Sequence, residues 1–417
     1  MPVSSVAGES PEVTPTTPPR LVSLDQFRGY TVVGMLLVNF LGSFAACPRV
    51  LKHSHDYLSY ADTIMPQFLF AVGFAMRLSL RRHLQLEGSA ATFRRVAKRL
   101  LGLVLVALVV YTAGRRAETW DSLQQLGVWG ALEEPLKRTW FQTLMHIAVT
   151  SLWILPVVHR SAALRISWMC VSAAMHLALS YGFNFIWVNT PPNGIDGGPL
   201  GFLTWTIPAL VGTLACDLFV PARDNVQDPL PRLRHAAALA LFLLAVGYVC
   251  SCGTRFYDVP EIAQESLREI KLAASPVIPG HEQVQQKLTK KDWRSYLAEP
   301  PFVPPPDISE RKWNYWMMSQ RSGSLSYLTF SAGLALLVYL LFYLACDGWD
   351  WQLAFFRTFG TNALLAYVLH DQVGDAVKPF MPADAPGWYV TGGLLVFFAI
   401  TWLFVRSFEK RGIYLRV

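Results

Sequence analysis

The chain is built from long apolar runs separated by short polar, basic or Pro/Gly-containing connections. A hydrocarbon core of about 30 Å takes roughly 20 apolar residues in a helix that rises 1.5 Å per residue. About ten runs approach that length. They are Tyr30 to Ala46, Ala61 to Leu80, Leu100 to Ala113, Phe141 to Val158 and Ala162 to Tyr181, followed by Leu200 to Val220, Ala236 to Cys252, Leu325 to Ala345, Leu353 to His370 and Trp388 to Phe408. The fold class expected from this pattern is an all-α polytopic transmembrane helix bundle. The connection after the second run carries Arg77, Arg81, Arg82, Arg94, Arg95, Lys98 and Arg99, and the positive-inside bias makes it cytoplasmic. Alternation then places both termini in the cytoplasm, consistent with Arg20 and Arg28 before the first run and Arg406, Lys410, Arg411 and Arg416 after the last.

Four units follow from the pattern. Residues 1–19, rich in Pro, Ser and Thr with no apolar core or cleavage site, read as a disordered tail and not a signal peptide. Residues 20–252 hold the first seven spans, residues 253–323 form an outer-face insertion, and residues 324–417 hold the last three spans. The insertion contains Pro300, Pro301, Pro304, Pro305 and Pro306 with Trp293, Trp313 and Trp316. Its segment Pro260 to Lys271 has helix-forming composition. Two readings of it stay open: a wall or entrance packed on the membrane domain, or a solvated connector.

Composition supports the membrane reading. Of 417 residues, 53% are hydrophobic and only 16% charged, too apolar for a soluble chain of this length. The net charge of +7 resides in clusters beside apolar runs, where topology explains it, so nucleic acid is not an expected partner. Among six cysteines, Cys47 and Cys252 both fall near the expected outer face, where a bridge is conceivable.

Ionisable and amide groups inside hydrocarbon are costly unless they face a partner or a wet cavity. Asn39 and Asn362 lie mid-run, where packing and ligand contact are equally open roles. Gln142 and His146 fall in the outer half of the fourth run, Asp62 at the outer start of the second, and Tyr367, His370 and Asp371 at the outer end of the ninth. Helical spacing brings Tyr367, His370 and Asp371 onto neighbouring positions, and a carboxylate beside an imidazole raises its basicity. His53 and His55 sit in the first outer loop. The chain has no phosphate-cradling GxxxxGK[ST], no GxSxG elbow and no HExxH, and no metal site is expected.

Several of these elements form a pattern. Arg20-Leu-Val-Ser-Leu-Asp25-Gln-Phe-Arg28-Gly, with the run ending Val38-Asn39-Phe40, resembles the opening of the heparan-α-glucosaminide N-acetyltransferase family. Tyr60-Ala-Asp62-Thr-Ile-Met-Pro66-Gln-Phe-Leu-Phe-Ala-Val-Gly73 resembles that family's second span, and Trp140-Phe-Gln142-Thr-Leu-Met-His146 its fourth element. Gly201 to Gly212 and Gly360-Thr-Asn362-Ala-Leu-Leu-Ala-Tyr367-Val-Leu-His370 are similar to later elements in the same order.

The resemblance implies transfer of an acetyl group from acetyl-CoA, as co-substrate and with no metal, to an amino sugar or other glycan on the outer face. A histidine between the first two elements would carry the chemistry, which maps to His53 or His55, with His370 and Asp371 as further catalytic candidates. The family's Trp and Gly after that histidine are missing here, so both histidines stay open, His53 being favoured. Asn39, Asn362, Arg28 and Gln142 are the expected contacts to acetyl-CoA, and Asp62, His146 and Tyr367 to the acceptor. The imidazole would act as general base or be acylated first. A lipid or glycan transporter is the alternative, which a broken helix or an inverted repeat would favour. The expected setting is a multi-pass protein of a cell membrane. The absence of an N-x-[ST] site is compatible with a bacterial inner membrane, and a homodimer stays open.

Overall fold

The computed structural model describes residues 21–220, 229–259, 272–289, 292–305 and 310–415. The expected tail and the helix expected over Pro260 to Lys271 lie outside the described residues. Among those described, the regular structure is helical, with only isolated bridges such as Asp258 to Arg311.

Each apolar run overlaps helix: α1 (Val22–Leu41), α2 (Tyr60–Glu87), α3 (Ser89–Val110), α5 (Thr143–Ile154), α6 (Ala162–Leu179), α8 (Phe202–Phe219), α9 (Pro229–Cys252), α11 (Leu325–Tyr343), α12 (Ala354–Thr361) with α13 (Ala363–Val377), and α14 (Gly387–Lys410). Between them lie α4 (Trp120–Glu134), α7 (Phe185–Asn189) and α10 (His281–Leu288). Among the described residues, six helical segments are long and apolar enough to cross a bilayer: those containing α2, α6 with α7, α8, α9, α11 and α14. The remaining four runs fall short for local reasons. Helix α1 carries Asp25 and Arg28 near its start, α3 begins with Arg94, Arg95, Lys98 and Arg99, and α5 has only 12 residues. The ninth run, expected as one span over Leu353 to His370, is broken at Asn362 (φ −129°, ψ 47°). The outer connections also hold unexpected helix: α4 fills much of Gly114 to Trp140, and α13 continues past His370 to Val377.

Helix α8 is the hub. Of its apolar window 83% is buried within the protein, against 17% for α6 with α7 and 22% for α14, which leaves those two helices facing lipid. Helices α2 and α8 meet backbone to backbone: a methyl group on Gly73 would overlap the Ala209 carbonyl, and one on Gly212 the Phe70 carbonyl. The same reciprocity joins α1 and α12, where Gly29 faces the Phe356 carbonyl and Gly360 the Asp25 carbonyl. Small residues permit such approach, and dispersion then replaces the hydrophobic driving force absent inside lipid. Gly73→Val is therefore expected to cost more than the 1–3 kcal/mol or so of ordinary overpacking, because a carbonyl cannot repack as a side chain does. Size-exclusion chromatography and thermal melting in detergent should show loss of folded protein, with Gly392→Ala, where no atom lies near the added carbon, close to wild type.

One end of the bundle gathers the loop 42–59, the loop 190–201 and the insertion. Phe302 N–H donates to Leu58 C=O at 2.9 Å and Gly197 N–H to Arg321 C=O at 2.9 Å, so the insertion is tied to both loops. Inside it, Arg311 pairs with Asp258 (2.7 Å) and Glu299 (2.7 Å), and Lys287 with Asp258 (2.9 Å). Cys47 and Cys252 are unbridged. The opposite end of α2, about 25 Å away along the helix axis, carries Arg77 and Arg81, which with Arg165 converge on Asp217.

Candidate active site

The sequence Ser59-Tyr-Ala-Asp62 starts α2 with a capping box. Ser59 Oγ accepts from Asp62 N–H (3.3 Å), and Asp62 Oδ2 accepts from Ser59 N–H (3.1 Å). This fixes the carboxylate at the helix start, where the macrodipole favours negative charge. Asp62 then gathers the loop before it: Oδ2 also accepts from Ser59 Oγ (2.8 Å) and Ser54 N–H (3.3 Å), while Oδ1 lies 2.8 Å from His53 Nδ1. Its backbone carbonyl accepts from the Tyr327 hydroxyl at 2.6 Å. An ionised carboxylate can only accept, so His53 carries hydrogen on Nδ1 and presents Nε2 as a lone pair. The His53 side chain is 45% exposed, and the protein packed around it opposes its protonation. The Asp62 hydrogen bond and charge, assisted by Asp196, outweigh it and raise the imidazole above its ordinary 6.5.

His53 and Asp62 open onto a cleft enclosing about 620 Å³ of atom-free space, part of it open solvent. Helices α1 and α2 supply an apolar side with Met35, Val38, Ile64, Met65 and Phe68. The polar side comes from six residues spread along the chain: Asn39, Gln142, Asp196, Gln320, Tyr327 and Tyr367. Asn39 Nδ2 donates to His370 Nε2 at 3.0 Å, and His370 Nδ1 bonds the Tyr367 carbonyl. A carbonyl can only accept, so His370 carries a proton on Nδ1, and its Nε2 faces the Asn39 amide. His370 thus acts as a clamp on Asn39, with Asp371 3.2 Å from the same nitrogen. The Tyr367 hydroxyl meets that of Tyr111, which accepts from Leu144 N–H at 3.1 Å.

Other residues singled out from sequence lie elsewhere. His55 is not on the cleft wall. Burial, with the charges of Arg321, His53 and Arg138, pushes its imidazole down to about 4. His146 is fully buried between Phe141 and Trp205 with both ring nitrogens unpartnered, a layer behind the cleft. Asn362 caps α13 at a distance from the cleft and is spent on the C-terminal segment, its Nδ2 donating to Ile413 C=O and its Oδ1 accepting from Leu415 N–H, both at 3.1 Å. Arg28 lies about 16 Å from Asn39 along α1, and Arg77 is committed to Asp217 and the Val158 carbonyl.

Three wall residues escape sequence reasoning. Asp196 sits in the loop Pro191-Pro-Asn-Gly-Ile-Asp196-Gly-Gly with φ 55° and is 3% exposed. It accepts from Gln320 Nε2 (2.8 Å), and its carbonyl accepts from Trp205 Nε1 (2.9 Å). Burial pushes its carboxyl up to about 7 against the pull of His53 and Gln320, with the Asp62 charge adding to the rise. A lone acid among Gly and Pro is the one signal that marks it. Gln320 in the insertion and Tyr327 at the start of α11 carry none. Together, a carboxylate-held imidazole, a second carboxyl near neutrality and a clamped amide around an apolar floor provide proton transfer and carbonyl recognition in one place.

A family profile described as an acyltransferase domain matches residues 21–406. The chain belongs to this acyltransferase family. It is also similar to the human heparan-alpha-glucosaminide N-acetyltransferase, 33% identical over 125 residues, which is 27% of this chain and 18% of that protein. The match thus spans under one fifth of the relative's length. Family and apolar helices together make the chain a membrane protein.

Proposed function

We propose that the chain transfers an acetyl group from acetyl-CoA to the amine of an amino sugar or related glycan on the outer side of a cell membrane, and that the reaction takes place in the His53 cleft. The observation that carries this reading is the Asp62–His53 pair on the cleft wall, with Nε2 of His53 free to take a proton. The amine attacks the thioester carbonyl carbon while His53 Nε2 removes its proton. The tetrahedral oxyanion then collapses with cleavage of the carbon–sulfur bond, and the imidazolium returns the proton to the departing thiolate, giving an amide and free CoA. Asn39, held by His370, offers an amide hydrogen to the oxyanion, and Gln142 meets the amides of the pantetheine arm. The apolar floor suits the acyl group and strengthens these polar contacts.

A transporter would use a broken helix to hold its cargo. Here the break at Asn362 is filled by the chain's own Ile413 and Leu415 backbone, which favours bond-forming chemistry in the cleft instead. The cytoplasmic placement of both termini and a bacterial inner membrane complete the proposal.

The base works only when neutral, and His53 is held above 6.5. Rate is therefore expected to rise with pH along an acidic limb whose midpoint lies above 6.5 and then to level off. Asp196 ionises near 7 and adds its negative charge beside His53 over the same range, which broadens that limb. The test is thiol release from acetyl-CoA by the purified protein with glucosamine added, followed from pH 5 to 9. Release that needs glucosamine and follows this limb supports the proposal. No release in folded protein would sink it.

A further inference from the structure

The rim of the cleft holds a group that the transfer chemistry leaves unused. Arg321, beside the wall residue Gln320, is 9% exposed, and its guanidinium Nε has no hydrogen-bond partner. The guanidinium lies over the Trp313 ring at 5.1 Å. A ring face attracts a cation but gives no lone pair to its in-plane N–H groups. Among the described residues no carboxylate pairs with Arg321, and the charge that acts on it is a second cation, Arg138. The insertion's structural arginines behave differently: Arg255 and Arg311 are both paired with Glu299.

The backbone sets both cations beside the cleft. Gly197 N–H donates to Arg321 C=O (2.9 Å), and Ile195 N–H donates to Lys137 C=O (3.2 Å), next to Arg138. The two arginines therefore flank the segment whose Ile195 and Asp196 line the wall. Arg138 is exposed and, like Arg321, without a carboxylate partner among the described residues. A buried guanidinium with a second cation beside it and no counter-charge is unfavourable until an anion joins it, and a guanidinium fork matches a carboxylate or phosphate group.

We propose that Arg321 and Arg138 form an anion-binding subsite at the rim of the His53 cleft, which receives a carboxylate, sulfate or phosphate group borne by the acceptor. The acceptor is then an acidic amino sugar or glycan. This rests on the acceptor reading of the cleft but not on turnover.

The test is calorimetric titration of the full-length protein in detergent with glucosamine 6-phosphate, glucosamine and inorganic phosphate. Wild type should bind glucosamine 6-phosphate about 10-fold or more tightly than either of the other two. Arg321→Gln should abolish that preference while leaving glucosamine affinity unchanged, Arg138→Gln should reduce it, and Arg321→Lys should restore part of it. Arg321→Gln should melt no lower than wild type, since it removes an unpaired buried charge. Equal binding of charged and uncharged sugar by wild type, or a preference that survives Arg321→Gln, would overturn the subsite. Inorganic phosphate binding as tightly as the sugar phosphate would overturn the acceptor as its source. A preference that depends on Arg321 in protein that transfers no acetyl group would support the subsite and remove the proposed reaction.

Discussion

His53→Gln is expected to lower the rate of acetyl transfer by about 10²–10⁴-fold, the range that a positioned general base supplies. Glutamine keeps a polar atom near Asp62 and removes the nitrogen that exchanges protons with substrate, so folding and CoA binding should stay close to wild type. The matched control is His55→Gln, which alters an imidazole already held neutral at about 4 and off the cleft wall, and should change the rate by no more than a few-fold. Steady-state kinetics on the two proteins separate the assignments. Equal loss in both would mean that the histidine loop acts as a unit, and loss in His55→Gln alone would move the chemistry to that residue.

Asp62→Asn should fall almost as far, by about 10²-fold or more, for a different reason. Asparagine can still accept from Ser59 but no longer brings a negative charge to His53. It can also donate to Nδ1, which would leave the proton on Nε2, where it blocks uptake from the amine. The expected signature is a lower kcat with an acidic limb moved down, since the group that raises His53 most strongly is gone. Asp62→Ala should in addition destabilise the loop. It leaves Ser54 and Ser59 N–H groups without their acceptor at the start of α2, a loss of about 0.5–2 kcal/mol of the kind seen when a cap is removed. Kinetics against pH, with thermal melts of both variants, check these expectations.

The parts of this arrangement legible in the sequence are those encoded locally. Run length placed helix under each of the ten apolar runs, because the bilayer sets how many apolar residues a span needs. His53 and Asp62 are close in sequence, and the Ser59 cap that fixes the carboxylate sits three residues before it. Asn39 and Tyr367 stood out as polar groups in apolar runs, and both line the cleft. The same signal also marks His146, whose ring is packed among aromatics, and Asn362, whose amide serves a chain break, and neither lines the cleft. Hydropathy cannot mark such a break, since α12 and α13 are both apolar and only backbone geometry at Asn362 separates them. Asp196 and Gln320 were not legible, because their place in the wall depends on long-range contacts between the insertion and a Gly/Pro loop.

The most direct test of the central claim follows radiolabel from acetyl-CoA onto glucosamine, using purified wild type and His53→Gln at pH 8 with CoA binding measured in the same samples. The account predicts N-acetylated sugar and equimolar free CoA from wild type, with the label lost in His53→Gln protein that still binds CoA. Undiminished transfer by His53→Gln would contradict it.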